Sequence, residues 1–123
     1  MPALGASLTA QNNATAPGAG AAIVSITGVP AGFYRLVAAV VLTGAAPAAA
    51  DADNVRILVP ASGGGQQNGP TLPVVPSQNA TPPFFEVGRF QVGFNGTVSI
   101  NAIGAGTASV VYRGTLILDP LVN

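Results

Sequence analysis

The run from Phe33 to Thr43 constrains this chain more than any other stretch. It places Tyr34, Leu36, Ala38, Val40 and Leu42 on one side of an extended backbone and Phe33, Arg35, Val37, Ala39 and Val41 on the other. Side chains alternate across a strand, so one row is wholly apolar and the other mixed. An antiparallel sheet with one face on a core reads this way. Ala108 to Leu118 repeats the pattern, with Val110, Tyr112, Leu116 and Leu118 against Val111, Arg113, Thr115 and Ile117. At ~3.3 Å per residue the first run spans about 36 Å. Apolar faces of that length require a second layer to cover them.

The remaining segments supply that layer. Ala22 to Thr27 is rich in β-branched residues, and a Pro/Gly turn follows at Gly28 to Gly32. Val55 to Val59 is a short strand closed by Pro60. Phe84 to Phe94 sets Phe84, Glu86, Phe90, Val92 and Phe94 against Phe85, Val87, Arg89 and Gln91, with Gly88 and Gly93 as bulge points. Asn95-Gly96 marks a tight turn, and Thr97 to Ile103 carries Val98 and Ile100 on one face. Gly44 to Asn54 is Ala-rich without an amphipathic face, so a loop is expected there. Residues 61–83 are the most irregular part. Within them Leu72 to Val75 is suited to an edge strand, because Pro is confined to edges.

Six or seven strands and no helix predict an all-β, single-domain β-sandwich over residues 21–123, either a jelly roll or an Ig-like Greek key. The link 61–83 is then the long crossover that such topologies use. Residues 1–20 read as an extended N-terminal arm of Ala, Gly, Asn, Thr and Pro. A short strand at Ala6 to Ala10 forms there only if something pairs with it. A neighbouring subunit is the simplest candidate, by strand addition.

Composition narrows the function. The chain has no His, Cys, Lys or Trp, and its net charge is zero. The usual general base and the thiol nucleophile are missing, so no enzyme activity and no cofactor are expected. Charged residues make up 7% of the chain, and a surface that near neutrality promotes association. Four dispersed Arg balanced by four acids leave no field for phosphate, so no nucleic-acid partner is expected. The Met1-Pro2-Ala3-Leu4-Gly5 start lacks the pattern of a secretory signal. Its most apolar stretch, Leu36 to Leu42, is far below the roughly 20 residues that span a bilayer, so no membrane partner is expected.

The candidate sites are few. Asp51-Ala52-Asp53-Asn54 offers oxygen ligands for a cation but lacks EF-hand spacing, and a capped turn is the plainer reading. Gly63-Gly64-Gly65 lacks the Lys and helix of a phosphate loop. A carboxylate pair such as Glu86 and Asp119 lacks the Trp on which sugars commonly stack. The four arginines are more informative. Arg35, Arg89 and Arg113 fall on mixed faces, and Arg56 separates Val55 from Ile57. Outward-facing arginines are either solvated or paired with carboxylates of a neighbouring subunit, where the planar fork gives orientation. With Leu4 and Leu8 of the arm, they form the expected contact set.

Three segments carry a resemblance: Ile26-Thr27-Gly28-Val29-Pro30-Ala31-Gly32-Phe33-Tyr34-Arg35-Leu36, Ala50-Asp51-Ala52-Asp53-Asn54-Val55-Arg56-Ile57 and Ala108-Ser109-Val110-Val111-Tyr112-Arg113-Gly114-Thr115-Leu116. They resemble small β-sandwich domains in structural proteins of tailed phages that infect high-GC actinobacteria, among them capsid decoration (cement) proteins. The likeness covers most of residues 21–120 and rests on turn and strand patterns. It implies a jelly-roll-like fold, homotrimers at capsid symmetry points, the major capsid protein as partner, a place on the virion after assembly in the host cytoplasm, and no enzyme activity. Two other readings stand beside it: a virion module that binds host-surface glycan, and another phage structural component of tail or baseplate.

Overall fold

The structure, a computed structural model, describes residues 7–44, 55–61, 65–71, 75–76, 85–92, 96–106 and 108–121. These form nine strands: β1 Leu8–Thr15, β2 Ala22–Val29, β3 Gly32–Gly44, β4 Val55–Pro60, β5 Gln66–Thr71, β6 Val75–Pro76, β7 Phe85–Val92, β8 Gly96–Ala102 and β9 Val110–Pro120. No helix occurs among the described residues. One sheet runs β1-β9-β3, and the far side of β3 is shared between β7 and β6; the other runs β2-β8-β4-β5.

The pairing has a simple logic. β1 pairs β9, β2 pairs β8, β3 pairs β7 and β4 pairs β5, all antiparallel. That is one long hairpin, with β1 to β4 going out and β5, β7, β8 and β9 returning. The hairpin rolls up so that β9 also pairs β3 and β8 also pairs β4. Two packed sheets with this strand order are a jelly roll, one of the two topologies the strand pattern allowed. The two-residue β6 adds the only parallel pairing among the described strands, against Val41 and Leu42.

The core lies between the sheets. Tyr34, Leu36, Ala38, Val40 and Leu42 of β3 and Val110, Tyr112, Leu116 and Leu118 of β9 are all buried, as their alternation requires. They meet Ile23, Val24 and Val29 of β2, Val55 and Ile57 of β4, and Val98 and Ile100 of β8. Burying each large aliphatic side chain contributes roughly 1.5–3 kcal/mol over leaving it exposed. Gly114 interrupts the inward row of β9 for a steric reason. A Cβ there would lie 2.8 Å from Val24 Cγ1 and 3.1 Å from Ile23 Cγ2. β2 shifts register between Ala22 and Val24, which lets two consecutive side chains, Ile23 and Val24, bury against Gly114.

Three expectations change. Residues from Leu8 onward are a strand of the sandwich and not a free arm: β1 pairs β9 in unbroken register from Leu8↔Leu118 to Thr15↔Val111. The partner needed for strand formation is thus in the same chain. The 61–83 region contains β5, Gln66–Thr71, which the sequence does not announce because no alternation marks it. In β7 the register slips at Gly88, between the pairs Leu36↔Gly88 and Val37↔Glu86. This bulge breaks the simple alternation. Phe90 and Val92 stay on the core side, while Glu86 moves to the solvent side that Arg89 occupies.

Candidate functional site

The outer face of the β1-β9-β3-β7 sheet carries a charged row. Arg35 lies between Asp119 on β9 and Arg89 on β7 by direct cross-strand register. Like charges directly opposite each other destabilise a sheet. Here each arginine has a carboxylate. Arg35 Nη2 is 2.6 Å from Asp119 Oδ2, and Arg35 Nε also donates to that oxygen, at 3.2 Å. Arg89 Nε is 4.0 Å from Glu86 Oε1. In a regular strand residues three apart face opposite ways, so only the bulge at Gly88 allows this second pair. The Ser7 hydroxyl donates to Asp119 Oδ1. This bond, with that from Arg35, holds the Asp119 carboxyl below its ordinary pKa. The carboxylate in turn raises the pKa of the Arg35 guanidinium.

Farther along the same face Arg113 stands opposite Asn13 of β1 and donates from Nε to Asn13 Oδ1 at 3.3 Å. Three of the four expected arginines therefore share one outer face. Arg35 and Arg89 form a unit there, and Arg113 lies apart. The carboxylates expected from a neighbour come, for Arg35 and Arg89, from this chain. Leu8 half-buries against this chain's own core. Leu4, Asp51, Asp53, Asn54, Gly63 and Gly64 lie outside the described residues.

The outer face of the other sheet differs. Gln66 Nε2 reaches over from β5 to donate to Thr97 O at 3.0 Å and Ser99 Oγ at 3.1 Å. Ser99, the one buried polar side chain among the described residues, donates onward to Asn101 Oδ1 at 2.5 Å. Asn101 Nδ2 then donates to the Gly20 carbonyl at 3.1 Å. These neutral groups satisfy one another in sequence across the sheet. Arg56 stands beside them, opposite Asn101. It borders a shallow cavity of about 180 Å³ with Leu58, Asn68 and Ile103, and its buried Nε has no hydrogen-bond partner. The amides of Asn68 and Asn101 are the site residues that sequence reasoning missed. Only the register, which aligns them with Leu58 and Arg56, reveals them.

Among the described residues no group of three or more His, Cys, Asp or Glu could hold a metal. Glu86 and Asp119 are each engaged by an arginine. Both tyrosines are core, with the Tyr34 hydroxyl donating to Pro30 O at 2.8 Å. Among the described residues the large apolar side chains that stand in solvent are Phe33, 41% exposed, and Ile103, 40% exposed. No helix among the described residues is long and apolar enough to cross a membrane. No protein-family model and no curated protein matches this chain.

Proposed function

We propose that this chain is a structural virion protein, a capsid decoration protein that binds the outer surface of a shell of major capsid protein and stabilises it. The observation that carries the reading is the finish of the two outer faces. One offers charges already paired within the chain, and the other offers linked neutral amides around a small cavity. Such faces suit broad contact with another protein and hold no reactive cluster. The jelly roll, a fold found among viral capsid and lectin domains, agrees by analogy alone. Binding only the assembled shell would stabilise that shell by mass action. Arg56 and Arg113 are the arginines without a carboxylate of their own among the described ion pairs, so they are the contact candidates of this reading.

The test is co-sedimentation of the purified chain with shells that lack it. The chain should pellet with them and raise the temperature at which they open. A chain left in the supernatant, with shell melting unchanged, ends the reading. One observation favours a glycan-binding virion module instead: Phe33 is exposed and stands opposite Gln91 across the β3–β7 pair. Sugars stack on such exposed rings beside polar side chains. Array binding that Phe33→Ala abolishes would move the assignment there.

A further inference from the structure

The described strands leave four sheet edges, and three of them are blunted. β7 carries the Gly88 bulge and the charges Glu86 and Arg89. β5 carries Pro70 and Gly69, and the pairing slips between Arg56 and Leu58. β2 has two register shifts, and Gly28 sits at φ 64°. Bulges, charges and Pro are the usual means of keeping an edge from recruiting another strand. β1 has none of them. Its eight residues, Leu-Thr-Ala-Gln-Asn-Asn-Ala-Thr, contain no charge, Pro or Gly and pair β9 without a slip.

The backbone groups that β1 offers can be identified. Ala16 N–H donates to Val110 O at 2.8 Å, one step beyond the pair Thr15↔Val111. Antiparallel ladders alternate between bonded and non-bonded pairs, so Leu8, Ala10, Asn12 and Ala14 bond toward β9. Thr9, Gln11, Asn13 and Thr15 therefore direct N–H and C=O toward the open edge, and their side chains are exposed.

We propose that β1 pairs antiparallel with β1 of a second copy across a two-fold axis, so that the two sheets become one. A two-fold keeps core sides together and outer sides together, which requires residues of like parity to meet. Gln11 against Gln11, with Thr9 against Asn13, satisfies this and uses the outward-directed groups as bonded pairs. No charge is brought against its like at the join. The zero net charge of the chain adds no long-range repulsion between copies. A strand of strongly charged sequence would find no complement along this edge, whereas a second β1 matches it in polarity and length. The three-fold association implied by the resemblance is a different contact, and mass separates the two.

Sedimentation velocity of the full chain over a concentration series tests the pairing. The expected species has twice the 12.0 kDa chain mass. Gln11→Lys sets like charges at the axis and should weaken association about tenfold or more, since like charges directly opposite oppose pairing. In the unaltered chain, hydrogen exchange at Thr9, Gln11 and Asn13 should slow as concentration rises, while exchange at β7 does not change. A monomer at every concentration overturns the proposal. So does a larger species that tolerates Gln11→Lys and leaves those amides unprotected. Both readouts use the free chain, so they stand apart from shell binding.

Discussion

β1 and β7 are both eight-residue outer strands of one sheet, yet they are built on opposite plans. β7 bends at Gly88 and sets Glu86 and Arg89 on its solvent side. β1 runs straight, uncharged and in full register. β7 pairs its two charges with each other, Arg89 with Glu86, and is joined to β3 by backbone pairing, while the next charges of the row, Arg35 and Asp119, tie β3 to β9. β1 is tied down by backbone pairing to β9, by Asn13, whose Oδ1 accepts from Arg113 of β9, and by Asn12, whose Nδ2 donates across to Ile23 O of the other sheet at 2.9 Å. The contrast separates two tasks that an edge can serve. A charged, bent edge ends a sheet, and a neutral, straight one leaves it able to continue.

Several substitutions probe the two edges separately. The largest effect is expected from Gly114→Val, which forces side-chain atoms into Ile23 and Val24 of the facing sheet. Overpacking of this kind costs about 1–3 kcal/mol or more. At about 4 °C per kcal/mol the melting temperature should fall by several degrees or more. Because Gly114 stands between Asn12 and Val40, exchange should quicken first along β1 and β9 and later along β7. Equal quickening at both edges would mean that they are not held independently.

Asn12→Ala is expected to cost about 1 kcal/mol, the usual net worth of a hydrogen bond, read as a lower denaturant midpoint at constant slope. If the midpoint holds, the tie between β1 and β2 contributes nothing. The smallest effect belongs to the charged row. Asp119 has a lowered pKa in the folded chain, caused first by Ser7 and then by Arg35. Its contribution is therefore complete above the ordinary Asp value of about 3.9 and is lost as pH falls from there through the lowered folded value. Asp119→Asn should flatten stability against pH in that acid window and loosen Ser7, just before β1, together with Arg35 of β3. An unchanged acid profile would show that the Asp119 carboxylate does not help hold Ser7, β3 and β9 together.

Much of the core was legible because it depends on a local rule. In β3 and β9 the inward rows follow directly from alternation, and Tyr34 and Tyr112 fall inside as that rule demands. β5 was invisible because its residues are nearly all exposed and burial imposes no pattern on Gln66 to Thr71. Its pairing to β4 selects it, and pairing is a property of the whole fold. The extent of β1 was hidden for the same reason. Glu86 shows a subtler limit. Alternation placed it with Phe90, and Gly88 was recognised as a bulge point, but only the register to β3 shows which residues change sides. The outward arginines were readable from their rows. Their partners were not, since Asp119 reaches Arg35 across 84 residues of sequence.

The rolled-hairpin order has a consequence for the timing of synthesis. Leu8 meets Leu118, and Ser7 bonds a residue 112 positions later. A nascent chain thus emits β1 early and carries it without its mate until β9 has cleared the ribosome. Closing so long a span is entropically costly and slow, as in other folds dominated by distant contacts. Throughout that interval the strand with the least guarded edge is open on both sides. Translation speed and crowding of sister polysomes, more than the final fold, should therefore set how much of this polypeptide reaches its finished form.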